Sequence, residues 1–168
     1  MGAQASIKLI VEASVDVPVD IGSVLHSFLF GPNYALGNGT GADQINQIWT
    51  DNRTLAASAN EDLDLSGTAL QSAVGVNIAF TKVRGILVRA AAANVNNVVV
   101  GGAASNGFIT PFGAAAHTVN VRPGGCLALI ANDAAGYAVT AATADLLRIA
   151  NSGGGSSVNY DILILGCA

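Results

Sequence analysis

The sequence predicts an all-β protein, an antiparallel β-sandwich. Three observations support this prediction. Short apolar runs rich in Val, Ile, Leu and Thr recur along the 168 residues. Segments rich in Gly, Pro, Asn and Ser separate them at intervals of about 8 to 15 residues, which is typical of sandwich and barrel strands. Finally, no long amphipathic helical pattern interrupts the series.

The first element is the segment 7–17, "IKLIVEASVDV". Its apolar and polar residues alternate with a period of two, which predicts one half-buried strand roughly 35 Å long. Pro18 ends this strand or confines it to a sheet edge. The residues expected on its buried face are Ile7, Leu9, Val11, Ala13, Val15 and Val17.

Eight more apolar runs predict the remaining strands: VLHSFLF, FTKVRGILVRA, NNVVVGG, HTVNV, CLALIA, YAVT, DLLRIA and VNYDILILG. The intervening turn signals include GNGTG, RPGG, NDAAG and NSGGGSS. The length fits a single domain over residues 1–168. Within it we expect an N-terminal strand and arm over 1–42 and a sandwich core over 43–168.

Two of these runs, "RGILVRA" and "YDILILG", are apolar on both faces. A strand of an antiparallel sandwich normally turns one face to water. Apolar residues on both faces therefore predict that the outer face of the sheet is covered, and we expect a subunit interface there.

The composition points to protein contacts. Hydrophobic residues make up 51% and charged residues 11%, whereas ordinary domains carry about a quarter charged residues. The net charge is −4 and the seven Lys and Arg residues are scattered, so a nucleic-acid partner, which requires clustered cations, is not expected. No segment reaches the ~20 apolar residues of a membrane span, and we expect no membrane association.

Residues suited to catalysis or metal binding are few. His26 and His117 lie in separate strand patterns with no acid or cysteine at ligand spacing. Cys126 and Cys167 lie in apolar runs, which is typical of buried free thiols, although the sequence does not exclude a bridge. The acids Glu61, Asp62 and Asp64 suggest a calcium or glycosidase site. We favour an exposed strand face with Leu63 and Leu65 in the core, and we predict no enzyme activity, metal or cofactor.

The segment 43–55, "DQINQIWTDNRTL", is the best candidate binding site. Its alternation is broken, which indicates a bulge or a two-sided contact. Amides beside a tryptophan suit sugar binding, but Trp and Arg also dominate protein interfaces, and we favour the protein interface. The predicted interface residues are Gln44, Asn46, Gln47, Ile48, Trp49 and Arg53.

Three stretches together resemble a family of small virion proteins of tailed bacteriophages. They are NGTGADQINQIWTDNRTLAASANEDLDLSG, NNVVVGGAASNGFI and the segment from VRPGG to YDILILG, and the resemblance covers roughly residues 38–166. It implies a jelly-roll β-sandwich, usually trimeric, that binds the outside of a phage head. The expected function is therefore that of a capsid decoration (cement) protein, with itself and the major capsid protein as partners. No catalytic residue is implied.

Two other classes remain open. A tail or spike component with a carbohydrate-binding sandwich would carry a patch of exposed aromatic residues, but aromatics make up only 5% of the chain. An enzyme on a jelly-roll fold would carry clustered His and carboxylates. Neither feature is visible in the sequence.

Overall fold

The computed structural model describes residues 2–18, 20–72 and 74–168. Within these ranges the chain forms strands and turns and contains no helix, which confirms the all-β prediction. In chain order the strands are β1 (Ala5–Lys8), β2 (Val11–Pro18), β3 (Ser23–Phe30), β4 (Asn33–Asn38), β5 (Gln44–Ile45), β6 (Gln47–Leu55), β7 (Asn60–Asp64), β8 (Lys82–Ala90), β9 (Val98–Gly101), β10 (Thr118–Val121), β11 (Cys126–Ile130), β12 (Tyr137–Ala138), β13 (Leu146–Asn151) and β14 (Val158–Cys167).

Two antiparallel sheets form the predicted sandwich. The five-stranded sheet has the order β11-β8-β14-β6, with the short β12 also paired to β8. The four-stranded sheet has the order β10-β9-β13-β7. The strands that follow one another in the chain are therefore mostly not neighbours in a sheet, and the chain crosses repeatedly between the two layers.

The main core lies between these two sheets. Strand β14 contributes Tyr160, Ile162 and Ile164, and β13 contributes Leu147 and Ile149, all at most 1% exposed. Alternate residues point inward, as the period of a strand requires. The inward-pointing apolar side chains of the two sheets thus form one continuous layer.

A third layer covers part of the outer face of the five-stranded sheet. Strands β1, β4 and β5 form a small sheet in which β4 and β5 run parallel. Its Ile7, Leu36 and Ile45 pack against Leu165 of β14 in a second, smaller core. Part of this face is therefore covered, as predicted, and this part of the cover is supplied by the protein's own N-terminal segment.

Strands β2 and β3 form a separate hairpin. They pair with each other from Val11↔Phe30 to Pro18↔Ser23, and neither pairs with any other strand in the described part of the chain. The prediction of one half-buried strand over 7–17 was wrong. The strand is interrupted at residues 9 and 10, between β1 and β2. Residues 9–16 are exposed because no other layer of the described chain packs against them. The side chain of Val17 lies outside the described part of the structure.

Candidate functional site

The six predicted interface residues do not form one surface. Trp49 and Arg53 share a face of β6, as their spacing predicts, but that face looks into the sandwich. Trp49 is 3% exposed and packs in the main core, so it is not available to a partner of the folded subunit. Trp49 fills the core, and only other residues of segment 43–55 remain candidates for a protein interface.

Arg53 belongs to a polar network at the edge of that core. Its Nε donates to Glu61 Oε2 over 2.7 Å, and its Nη1 donates to Asp51 Oδ2 over 2.8 Å. The hydroxyl of Tyr160 donates to Glu61 Oε1 over 2.6 Å. Burial of the phenol, followed by its bond to the Glu61 carboxylate, raises the pKa of Tyr160 well above its usual range. These groups form hydrogen bonds to one another, and the network therefore links strands β6, β7 and β14.

Gln44 and Asn46 stabilise local structure. Gln44 Oε1 accepts a 2.8 Å hydrogen bond from the amide of Gly41, which closes the turn before β5. Asn46 Oδ1 accepts a 2.9 Å hydrogen bond from the amide of Ala168. Both side chains therefore stabilise backbone segments of this chain. Part of each residue remains solvent-accessible.

Gln47 and Ile48 are the members of the predicted set best placed for a partner. With Asn46 they line an open groove of about 480 Å³, together with Val76 and Ile78. Val76 is 59% exposed and the neighbouring Val74 is 81% exposed. The groove is mainly apolar and carries amide groups on one wall, a composition that suits a protein contact.

The carboxylates of Asp62 and Asp64 in β7 are bonded to other groups of this chain. Leu63 and Leu65 point into the core, as predicted. Asp62 forms a two-point ion pair with Arg148 at 2.7 and 2.8 Å. Asp64 Oδ1 accepts hydrogen bonds from the amides of Ser66 and Gly67 and so caps the following turn. The part of the chain that the structure describes holds no group of three His, Cys, Asp or Glu that could bind a metal ion.

The histidines and cysteines lie apart from one another. His117 Nδ1 is 2.8 Å from the carbonyl oxygen of Phe112, and the His26 ring lies 4.2 Å from that of Phe28, centroid to centroid. Both cysteines are free thiols. Cys167 is buried as predicted, but Cys126 is exposed because it begins the edge strand β11, on the side opposite the core-facing Leu127.

The open half of the five-stranded sheet's outer face carries a polar groove of about 520 Å³. Asn52 Nδ2 donates to Asp161 Oδ1 over 2.6 Å, and Arg89 Nε donates to Asp161 Oδ2 over 2.9 Å. These bonds, from Asn52 first and then from Arg89, lower the pKa of the Asp161 carboxyl. The groove is a hydrogen-bonding surface whose groups are already engaged with one another.

The most exposed apolar surface is the β2–β3 hairpin, of which the sequence predicted only the first strand, within residues 7–17, to be half-buried. Its apolar side chains include Val24, Leu25, Phe28, Leu29 and Phe30, between 52% and 74% exposed. Ile21, in the turn between the strands, is 95% exposed. The run "VLHSFLF", which is apolar on both faces, was the available signal, but it is also typical of a buried strand.

No helix among the described residues has the length and apolar character needed to cross a membrane. Comparisons with protein-family models, with curated proteins and with solved structures found no match.

Proposed function

We propose that this protein is a non-enzymatic structural subunit of a bacteriophage virion. In this proposal it is a decoration, or cement, protein that binds the outer surface of the head as a homotrimer and stabilises the capsid. The observation that supports it best is the hairpin β2–β3, the most exposed apolar element of a lightly charged protein.

The exposed area of the hairpin supports a role in binding. Ten large apolar side chains between residues 9 and 30 are 47% to 95% exposed, which amounts to on the order of 1,000 Å² of apolar surface. The largest apolar patch on a typical monomer is about 300–600 Å². One partner's share of a standard protein interface is about 800 Å². Segment 9–30 thus exposes, over its two faces together, an apolar area comparable with one partner's share of a standard interface.

We infer that the connectivity is of the jelly-roll type implied by the resemblance to phage virion proteins. The first and last sandwich strands, β6 and β14, are neighbours in one sheet. Apart from the short β12, successive strands alternate between the sheets, except for the pair β9 and β10, which share one. This is the arrangement of a jelly roll, in which eight strands in total form two Greek keys.

Trimeric symmetry suits the proposed role. Capsid lattices have local three-fold points, and a closed trimer presents three identical contacts to such a point. Each contact can be weak, because linking three of them raises the effective concentration of the second and third. We place the capsid contact at the tip of the hairpin, where Ile21 is the most exposed large apolar side chain.

The test is binding to undecorated heads. Full-length protein should co-sediment with heads, and cryo-electron microscopy should show density at the local three-fold points. Ile21→Ser should weaken head binding at least tenfold, since burial of an isoleucine contributes about 1.5–3 kcal/mol. Val95→Ser is the matched control, because Val95 is also highly exposed, at 76%, but lies outside the hairpin. Full-length protein that ignores heads and binds tails or glycans would overturn the proposal.

The polar groove around Asn52, Arg89 and Asp161 favours a second candidate function, a tail or spike component that binds carbohydrate. Hydroxyl groups of a sugar would replace some of the bonds that these side chains make to one another. A glycan array with full-length protein tests this function. Binding that is lost in Asn52→Ala would favour it, and a blank array would reject it.

A further inference from the structure

Arg84 lies at an irregularity in the five-stranded sheet. Leu165 of β14 pairs with Gly85, whereas the next residue, Gly166, pairs with Val83, so Arg84 is the extra residue of a β-bulge. A bulge re-aims a side chain and is over-represented beside functional sites. Here the guanidinium reaches the turn between β4 and β5, which belongs to the small N-terminal sheet.

The guanidinium of Arg84 is buried, yet only one of its three nitrogens is bonded to acceptors of the described chain. The residue is 0% exposed, and its Nη2 donates to the carbonyl oxygens of Gly41 and Ala134 over 2.8 and 3.0 Å. Nε and Nη1 are inaccessible to solvent and have no acceptor among the described residues. Buried donors in folded proteins are satisfied by protein, water or an ion, because an unmade hydrogen bond costs free energy. The N–H groups of Nε and Nη1 thus require an acceptor that the described residues do not supply.

The positive charge of Arg84 is also uncompensated. The four ion pairs found in the described part of the chain all use other arginines, namely Arg53, Arg89 and Arg148. A second cation lies close by, since Lys82 Nζ donates over 3.2 Å to the same Ala134 carbonyl that Arg84 binds. The carboxylate of Asp133, in the same loop, is exposed and accepts hydrogen bonds from two backbone amides of that loop. Two cations therefore converge on one carbonyl oxygen, and neither has a carboxylate partner.

An anion satisfies both the free donors and the charge, whereas a water molecule satisfies only the donors. A water molecule accepts a hydrogen bond but leaves the charge of Arg84 unbalanced in the interior, where an unpaired charge is costly. An anion accepts the same hydrogen bond and compensates the charge, and hydrogen bonds between ions are the stronger kind.

The surroundings restrict the size of the ion. Gly136 keeps the approach to Arg84 Nη1 open, since a Cβ at this position would lie 3.0 Å from Nη1 and 2.8 Å from the carbonyl oxygen of Val83. Because Nε and Nη1 are out of reach of solvent, the bound ion is enclosed by protein. Enclosure favours a halide over phosphate or over a carboxylate attached to a larger molecule.

We propose that Arg84 binds a small monovalent anion, with chloride as the ligand, between the turn 39–43 and the loop 131–136. Nε or Nη1 of Arg84 donates to the ion, and Lys82 adds a second positive charge nearby. The ion thereby stabilises the junction between the N-terminal sheet and the five-stranded sheet. This inference concerns a ligand of the fold itself and does not depend on the proposed virion function.

The test measures the thermal midpoint of full-length protein in sodium chloride and in sodium isethionate at equal ionic strength. A ligand that binds only the folded state raises the midpoint, by about 3 °C when chloride is present at roughly ten times its Kd. The same pair of salts is applied to Arg84→Met, which removes the guanidinium but keeps an unbranched side chain. Arg122→Met is the matched control, because Arg122 is an exposed arginine.

We expect wild type and Arg122→Met to melt at a higher temperature in chloride, and Arg84→Met to melt at the same temperature in both salts. Equal midpoints for the wild type in the two salts would overturn the inference and indicate that water satisfies the donors. A chloride effect that persists in Arg84→Met would overturn it as well, since the ion would then bind elsewhere.

Crystals of wild-type protein grown in sodium bromide provide a test that does not require Arg84→Met to fold. An anomalous bromide peak beside Nε or Nη1 of Arg84 would support the inference. A map without a peak at this position would overturn it.

Discussion

The hydroxyl of Tyr160 donates a 2.6 Å hydrogen bond to Glu61 inside the sandwich, where the tyrosine is 1% exposed. The same carboxylate accepts a hydrogen bond from Arg53 Nε. One carboxylate therefore joins a neutral donor on β14 to a cation on β6 and holds both against β7. A partly buried carboxylate such as that of Glu61 is stabilised while these donors remain in place.

Replacement of Tyr160 by Phe should destabilise the protein by about 2 kcal/mol, since the partly buried Glu61 carboxylate loses a hydrogen bond to a fully buried donor. Urea denaturation followed by Trp49 fluorescence measures this change. Thr54→Val is the matched control because it removes an exposed hydroxyl bond to Asn159, and it should change stability by less than about 0.5 kcal/mol. Equal losses in the two variants would contradict the special role of the buried bond.

The raised pKa of Tyr160 has a consequence for stability at high pH. The folded state holds the phenol protonated, whereas the unfolded chain releases its proton near the ordinary tyrosine pKa of about 10. The stabilisation is thus fully present below about pH 10 and is lost as the pH rises above it. The denaturation midpoint of wild type should fall above pH 10 more steeply than that of Tyr160→Phe. Parallel pH profiles would show that this phenol does not contribute.

Single residues show what alternation in a sequence can and cannot reveal. The pattern correctly placed Leu63 and Leu65 in the core and put Trp49 and Arg53 on one face of a strand. It did not reveal which way that face points, because a strand's period of two is the same whether its face meets the core or a partner. Trp49 was therefore assigned to an interface although it fills the core.

At the scale of elements, the hairpin behaves as an insertion between β1 and β4. Its two ends are adjacent, since the amide of Leu9 donates to the carbonyl of Pro32 over 3.3 Å. The alternation of residues 7–17 continues through the break at Leu9 and Ile10, so periodicity alone predicted one strand. Only the pairing of β1 with β4 and of β2 with β3 separates the two pieces.

Excision of residues 11–30, with Ile10 joined to Gly31 through a two-residue Asn-Gly turn, should leave the sandwich folded. Neither core cluster includes a residue of the hairpin, so no core contact is lost. We expect native Trp49 emission and a thermal midpoint within a few degrees of that of the full-length protein. Loss of cooperative unfolding would show that the hairpin supports the fold.

The outer cover of the five-stranded sheet also shows a limit of sequence reasoning. Strands β8 and β14 are apolar on both faces, and this correctly indicated that something covers them. The pattern carried no information about the identity of the cover. The covering residues Ile7, Leu36 and Ile45 contact Leu165, and these segments lie more than 100 residues apart in the chain.

At the scale of the whole molecule, Arg84 joins the layers. It is fully buried, and its Nη2 donates to the carbonyls of Gly41 and Ala134 over 2.8 and 3.0 Å. Gly41 lies in the turn between β4 and β5, and Ala134 follows β11. A cation on a central strand of the sandwich thus holds the N-terminal sheet and a loop of the five-stranded sheet together.

Replacement of Arg84 by Ala should destabilise the protein by about 3 kcal/mol, because it leaves a cavity and removes the donor to these carbonyls. Amide hydrogen exchange should quicken first in β1 and β4, which depend on this connection. Arg122→Ala is the control, since Arg122 is exposed, and it should change stability by less than about 0.5 kcal/mol. Faster exchange spread evenly over all strands would contradict the proposed local role.

The position of β14 in the five-stranded sheet has a consequence for biosynthesis. β14 lies between β6 and β8 and pairs with both, yet it is the last sandwich strand to leave the ribosome. Until then β6 and β8 lack their shared neighbour, and the main core lacks Tyr160, Ile162 and Ile164. Contacts between such distant segments form slowly, and open strand edges invite pairing with other nascent chains. The sandwich can therefore close only after β14 has been synthesised, and until then β6 and β8 each have an unpaired edge where β14 will bind.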